Sequence, residues 1–232
     1  MNLKPQAGPQ EKAVRCNFVD ELFFAGGRGS GKSFILCYMF LMGVEKYGEH
    51  WKGVLFRRTY PELDEIIDLT RKMYREFYPD AEYKVGSHTW VFPNGATLKL
   101  RHIENEIDAD HYQGMSFSYI AFDELGSFND LKAYNKLKAC LRSGGADVPD
   151  KKIVSSGNPG GPNHQNLKKY FIDPAPEGTV IEGEDGMKRI YIHSVVTDNK
   201  ILLERDPNYI NRLKGVGDEH LVKAWLEGDW DA

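Results

Sequence analysis

Short apolar runs alternate with amphipathic stretches along this chain. Glu21 to Ala25 (ELFFA) is an apolar run that stops at Gly26-Gly27, the pattern of a buried strand entering a turn. Lys32 to about Lys46 holds helix-compatible residues that are apolar nearly all round, with Gly48 just beyond, which predicts a buried helix. Gly53 to Phe56 predicts a second strand, and Tyr60 to Phe77 an amphipathic helix with Pro61 near its start. Alternation on either side of Pro93-Asn94-Gly95 predicts a hairpin over Thr89 to Arg101. Tyr119 to Phe122 and Lys152 to Ser156 read as further buried strands, and Lys188 to Val195 as a strand that follows an acidic turn. Asp130 to Leu141 reads as a helix with basic residues outward, and Pro207 to Lys214 and Asp218 to Leu226 as two short helices. The Pro- and Gln-rich start, Met1 to Gln10, is expected to be poorly ordered. Strands alternating with helices predict an α/β fold with a largely parallel sheet.

Composition narrows the function classes. The 232 residues are 41% hydrophobic and 28% charged, an ordinary globular balance that excludes disorder and coiled coil. The net charge of -4 excludes a protein that coats nucleic acid over its whole surface, though not one with a local basic patch. Cys16, Cys37 and Cys140 are too scattered for a disulfide framework or a zinc site, so a reduced, intracellular setting is expected. The longest apolar run, Phe34 to Met42, is far shorter than the ~20 residues of a membrane span.

Three segments carry candidate chemistry. Gly26-Gly27-Arg28-Gly29-Ser30-Gly31-Lys32-Ser33 fits the phosphate-loop pattern and lies between a predicted strand and a predicted helix. Its glycines let backbone N–H groups converge on phosphate oxygens at the positive end of the following helix. Lys32 is placed to reach the β- and γ-phosphates of ATP, and Ser33 to ligate Mg²⁺. The strand Tyr119 to Phe122 runs into Asp123-Glu124. Two carboxylates at a sheet edge beside a phosphate loop suit a metal site: Asp123 is expected to hold Mg²⁺ through a water, and Glu124 to orient and deprotonate the attacking water. The long interval between Lys32 and Asp123 leaves room for an additional strand between the two motif strands, a place assigned to Gly53 to Phe56. Third, Ser155 to Pro159 ends the strand from Lys152, where a polar side chain can contact the γ-phosphate or the water.

Taken in order, AGGRGSGKS, FRRTYPEL, the YQG before the acidic strand, FDEL, SSGNPGGPNHQNLKKYFID and the closing LEGDW resemble the large terminase subunit of tailed bacteriophages over Gln10 to Trp230. The resemblance implies a P-loop ATPase of the additional-strand, catalytic-glutamate type that drives double-stranded DNA into an empty capsid. It implies an adenine-reading role for Gln10 and a coupling motif at Ser156, Gly157 and Asn158. It also implies as partners the portal ring, the small terminase subunit and further copies in a ring, with the lone chain a monomer or weak oligomer in the host cytoplasm. The expected organisation is one ATPase domain over 1–232: an N-terminal segment to about 20, a core to about 200 and a helical segment beyond. The nuclease domain that usually follows the GDW segment is expected to be absent. Arg28 is a candidate for the γ-phosphate or a neighbouring subunit. Some relatives carry a subunit-bridging arginine before the acidic strand; Gln113 stands there here, so Arg101 and Arg142 are the candidates. Arg57 and Arg58 are read as ordering the nucleotide site, contacting DNA or forming an ion pair. Phe23, Phe24, Trp90 and Phe92 are expected in the core, and Lys132, Lys136 and Lys138 on a solvated helix face. The seven histidines lack metal-ligand spacing. The residues alone leave open a helicase- or recombinase-like ATPase and a nucleotide-gated interaction module, the latter disfavoured by Glu124.

Overall fold

The computed structural model describes residues 3–232; Met1 and Asn2 fall outside the described residues. The chain runs α1 (Pro9–Arg15), β1 (Glu21–Gly26), α2 (Lys32–Tyr47), β2 (Lys52–Arg57), α3 (Leu63–Phe77), β3 (Glu82–Lys84), β4 (Thr89–Val91), β5 (Thr97–His102) and α4 (Glu106–Asp110). It continues with β6 (Tyr119–Phe122), α5 (Lys132–Lys138), β7 (Lys152–Gly157), α6 (His164–Leu167), β8 (Ile181–Glu182), β9 (Lys188–Ser194), α7 (Lys200–Arg205), α8 (Tyr209–Lys214) and α9 (Glu219–Glu227). Among the described residues the strands form one sheet in the order β3-β4-β5-β2-β6-β7-β1-β9-β8. The six central strands, β5 to β9 in that order, run parallel, and β3, β4 and β8 add antiparallel edges.

Consecutive side chains of a strand point to opposite faces, and β1 shows the consequence. Phe24 joins a layer with Leu36, Phe40, Trp51, Tyr74 and Trp90 under α2 and α3. Phe23 joins Phe56, Phe122, Tyr134, Phe171 and Trp230 on the other face. Every residue of β1 is therefore buried, as a strand covered on both sides requires. All four aromatics expected in the core are there. α3 buries Leu63, Ile66, Ile67, Thr70, Met73 and Tyr74, one stripe at helical spacing.

Several boundaries differ from expectation for identifiable reasons. α3 starts at Leu63 and not at Tyr60, because the Leu63 N–H closes a turn on Tyr60 O (3.0 Å) and the Glu62 carboxylate folds back onto the Thr59 N–H (3.0 Å). α5 ends at Lys138, since Phe117 N–H takes the Cys140 carbonyl and Leu141 bridges Phe117. Of the segment Met1 to Gln10, the described residues 3–10 are ordered: Gln6 is hydrogen-bonded to the body, and Gln10 lies buried in α1. The strand between the two motif strands β1 and β6 is β7; β2 flanks β6 on its far side. Lys138 does not face solvent alone but pairs with the buried Glu21 (3.1 Å) and with Asp185 (2.5 Å). Among the described residues no helix is long and apolar enough to cross a membrane, and no group of His, Cys, Asp or Glu could hold a metal by itself.

Candidate nucleotide-binding site

β1, β6 and β7 end together at one edge of the sheet, which brings the three motif segments around a cleft of about 740 Å³. The phosphate loop leaves β1 and enters α2 through Gly29 (φ 73) and Gly31 (φ 80), backbone that L side chains rarely adopt. The N–H groups of Gly29 through Phe34 find no acceptor among the described residues. They stand at the positive end of α2, the arrangement that binds anions.

Lys32 is nearly enclosed. Its ammonium donates to the Gly27 carbonyl and to Ser30 Oγ (3.1 Å). Burial pushes its pKa down to about 8, against the pull of Asp123 and Glu124. Ser33 Oγ donates to Asp123 Oδ2 at 2.8 Å. Asp123, only 1% exposed, also accepts from Arg57 Nε (2.7 Å) and a second Arg57 nitrogen (2.7 Å) on the same oxygen. Ser156 Oγ donates to Asp123 Oδ1 (2.6 Å) and accepts from the Glu124 N–H (2.9 Å). Ser156 thus joins the end of β7 to the Asp123 carboxylate and to the backbone of Glu124.

Glu124 has a positive φ of 57, a conformation that costs a non-glycine residue on the order of 1 kcal/mol or more. A tight turn through Ser127, whose N–H (2.9 Å) and hydroxyl (2.8 Å) both bond Glu124 O, holds it there. The side chain opens into the cleft, 3.6 Å from Arg57 Nη1. Burial raises the pKa of Glu124, and Arg57 opposes the rise. Asn158 lines the same cleft, with its Oδ1 buried and unpartnered among the described residues. Arg57, 4% exposed, is thereby a buried ion-pair residue facing the acidic pair, and not a surface residue free to meet DNA. Arg58 donates to Ser127 O (2.8 Å).

The remaining wall comes from the end of the chain. The Arg28 guanidinium lies 3.6 Å above the Trp225 ring, and the Arg28 backbone N–H donates to Trp225 O (2.7 Å). A Cβ on Gly228 would fall 2.5 Å from Gly26 Cα, so α9 packs backbone to backbone on the loop. Tyr209, Leu202 and Asn199 complete this side. Beside Gly31 a second cavity of about 180 Å³ is bounded by Phe34, Leu69, Ile201, Gln6 and Gln10. Both polar atoms of the Gln10 amide are engaged by the protein: Nε2 donates to Gly31 O (3.2 Å), and Oε1 accepts from the Gln6 N–H (2.8 Å).

Neither candidate bridging arginine lines the cleft. Arg101 is spent on the carbonyls of His88 (3.0 Å) and Leu100 (2.9 Å). Arg142 lies exposed near Phe117, its guanidinium donating to Met115 O (3.2 and 3.1 Å), at the opposite sheet edge, about 20 Å of extended chain before Asp123. Sequence reasoning did not reach Gln6, Asn199, Tyr209 or Trp225. Only Asn199 had a local signal, a helix-capping residue just before Ile201-Leu202-Leu203.

Residues 23–156 match the family described as terminase large subunit, T4likevirus-type, N-terminal. Among solved structures, the large terminase of a thermophilic bacteriophage superposes with a TM-score of 0.75 at 18% identity, covering 98% of this chain and 54% of that one. The same phage protein in complex with ATP-γ-S gives a TM-score of 0.71 at 18% identity, covering 97% and 53%. The large terminase ATPase domain of a Thermus phage gives 0.64 at 13% identity, covering 98% of this chain and 94% of that domain. This chain therefore spans about half the length of the first of these terminases. At these identities the likeness is one of fold. Among curated proteins none matches.

Proposed function

The chain belongs to the family of T4-like large terminase subunits, in its N-terminal part, and from that we propose that it hydrolyses ATP at the cleft between the phosphate loop and Asp123-Glu124. One observation carries the reading. The loop's unpartnered N–H groups, Lys32, Ser33 with Asp123 hydrogen-bonded behind it, and the half-exposed Glu124 converge on a single cleft. In the proposed complex the phosphates replace Gly27 O and Ser30 as partners of the Lys32 ammonium. Ser33 Oγ is an oxygen donor of the kind Mg²⁺ takes, and Asp123, whose Oδ2 accepts from Ser33 and Arg57, would hold the ion through a water; the ion would neutralise developing phosphate charge. Glu124 takes the proton of a water that attacks the γ-phosphorus; the bond to the β-phosphate oxygen breaks, giving ADP and phosphate. Its raised pKa makes it a stronger base than an ordinary carboxylate. Arg57 holds both carboxylates in place, and Asn158 stands where loss of the γ-phosphate can be registered. The base is assigned to the smaller cavity beside Gly31, the region where Gln10 lies.

The same proposal treats the chain as one ATPase domain, since both its N-terminal segment and its C-terminal helices contact the loop. Arg142 is preferred over Arg101 as an arginine offered to a neighbouring copy, because it is exposed at an edge remote from its own site. Family membership extends the reading to movement of double-stranded DNA into a procapsid. A ring of copies would work there with the portal and the small subunit, in the host cytoplasm. The test is phosphate release from Mg-ATP, with and without double-stranded DNA, by the parent and by Lys32→Ala. Turnover that Lys32→Ala abolishes supports the site. Parental turnover in that variant refutes it.

A further inference from the structure

Three side-chain amides form a connected set against the phosphate loop. Asn199 Nδ2 donates to Gly29 O (2.7 Å), and its Oδ1 accepts from Gln6 Nε2 (2.8 Å) and from the Leu202 N–H (3.2 Å). Gln6 Oε1 accepts from the Ile201 N–H (3.2 Å). The Gln6 N–H donates to Gln10 Oε1 (2.8 Å), and Gln10 Nε2 closes the set on Gly31 O (3.2 Å). The two loop carbonyls so held belong to alternate peptide units. In a trans peptide, C=O and the next residue's N–H point in opposite directions. Holding Gly29 O and Gly31 O against these amides therefore turns the N–H groups of Ser30 and Lys32 away from them. These are among the N–H groups with no acceptor among the described residues, and they border the cleft.

We propose that Asn199 and Gln6, acting with Gln10, are positioning residues of the phosphate loop: their amides aim the Ser30 and Lys32 N–H groups at the phosphates, whichever base the nucleotide carries. The inference rests on the loop being the phosphate site. It assigns these amides to the loop's shape, where a base-reading role would need donors and acceptors turned to the ligand. The ring also draws residues from both ends of the chain onto one loop, so a shift of α7 or of the N-terminal segment would reach the phosphates directly.

Asn199→Ser separates the loop contact from folding. A serine still caps α7 but is too short to reach Gly29 O, and it leaves the charge unchanged. Gln6→Ala breaks the ring from the other side with the α7 cap intact. Affinities for ATP, GTP and inorganic tripolyphosphate are measured by calorimetry for the parent and both variants, with thermal melting as the fold control. A single uncharged hydrogen bond predicts weakening of about fivefold. That weakening should be equal for the three ligands, with KM for ATP rising by the same factor and kcat little changed. Loss confined to ATP would overturn the proposal in favour of base reading. Unchanged affinity for all three in both variants would make the ring merely structural and overturn it too. A parent that binds none of the three would refute the phosphate-site reading itself, and this proposal with it.

Discussion

Removing Arg57 should cost the protein far more stability than a surface arginine would. The guanidinium is 4% exposed and places two nitrogens 2.7 Å from one oxygen of Asp123, itself 1% exposed. Arg57→Met leaves that carboxylate buried and without its cation. Breaking a buried pair from one side costs about 3–5 kcal/mol. Asp123 keeps the hydroxyls of Ser33 and Ser156, so the lower end, about 3 kcal/mol, is expected. For a domain of this size that corresponds to a fall in Tm of roughly 6–12 °C. The assay is urea unfolding of the parent, Arg57→Met, Asp123→Asn and the double variant. Because Asp123→Asn removes the stranded charge, the double variant should be more stable than additivity predicts, by about 2 kcal/mol. The same loss should reach the chemistry. Arg57 opposes the upward shift of the Glu124 pKa, so without it that pKa climbs further and the acid limb of the rate profile moves to higher pH. An Arg57→Met variant within about 1 kcal/mol of the parent, or strictly additive variants, would refute the reasoning.

Lys32 gives a pH dependence of known sign: its pKa in the free protein is pushed down to about 8, and phosphates favour the ammonium, raising it in the complex. Affinity for ATP should be full below pH 8 and about tenfold weaker at pH 9, by calorimetry, with no such decline in Lys32→Ala; a flat parent profile would contradict the shift. Trp225 lines the cleft while Trp51, Trp90 and Trp230 are buried in the core, so ATP should change tryptophan emission, and Trp225→Phe should remove the change but keep binding. An unaltered signal in Trp225→Phe would place the reporter elsewhere. Gly228→Ala should weaken ATP binding and lower Tm, since its Cβ would collide with the backbone of Gly26 and Gly27; parental values for both would show that α9 moves aside without cost.

What could be read from the residues were the features fixed by neighbours in the chain. The phosphate loop needs its glycines, its lysine and its flanks within a dozen positions, and Asp123-Glu124 closes an apolar strand of four. Both were legible as motifs, and the structure brings them to one end of the sheet. What could not be read is set by contacts between distant segments. The place of β7 between β1 and β6 is a matter of sheet order, and no local pattern states it. α1 is short and begins with proline; Gln10 is buried because Gly31 and Gln6 meet its amide, not because of its own neighbourhood. Trp225 reaches Arg28 across almost the whole chain. Arg57 was ambiguous for the same reason: whether an arginine after a strand faces solvent or a buried carboxylate depends on which strand lies beside it, here β6.

The most direct test of the account is a comparison of Glu124→Gln with the parent for Mg-ATP binding and for single-turnover hydrolysis. The amide keeps the size and position of the side chain but cannot accept the water's proton. The account predicts ATP affinity within a few-fold of the parent and hydrolysis lowered by roughly 100-fold or more. Hydrolysis at the parental rate in Glu124→Gln, or loss of ATP binding in step with hydrolysis, would contradict it.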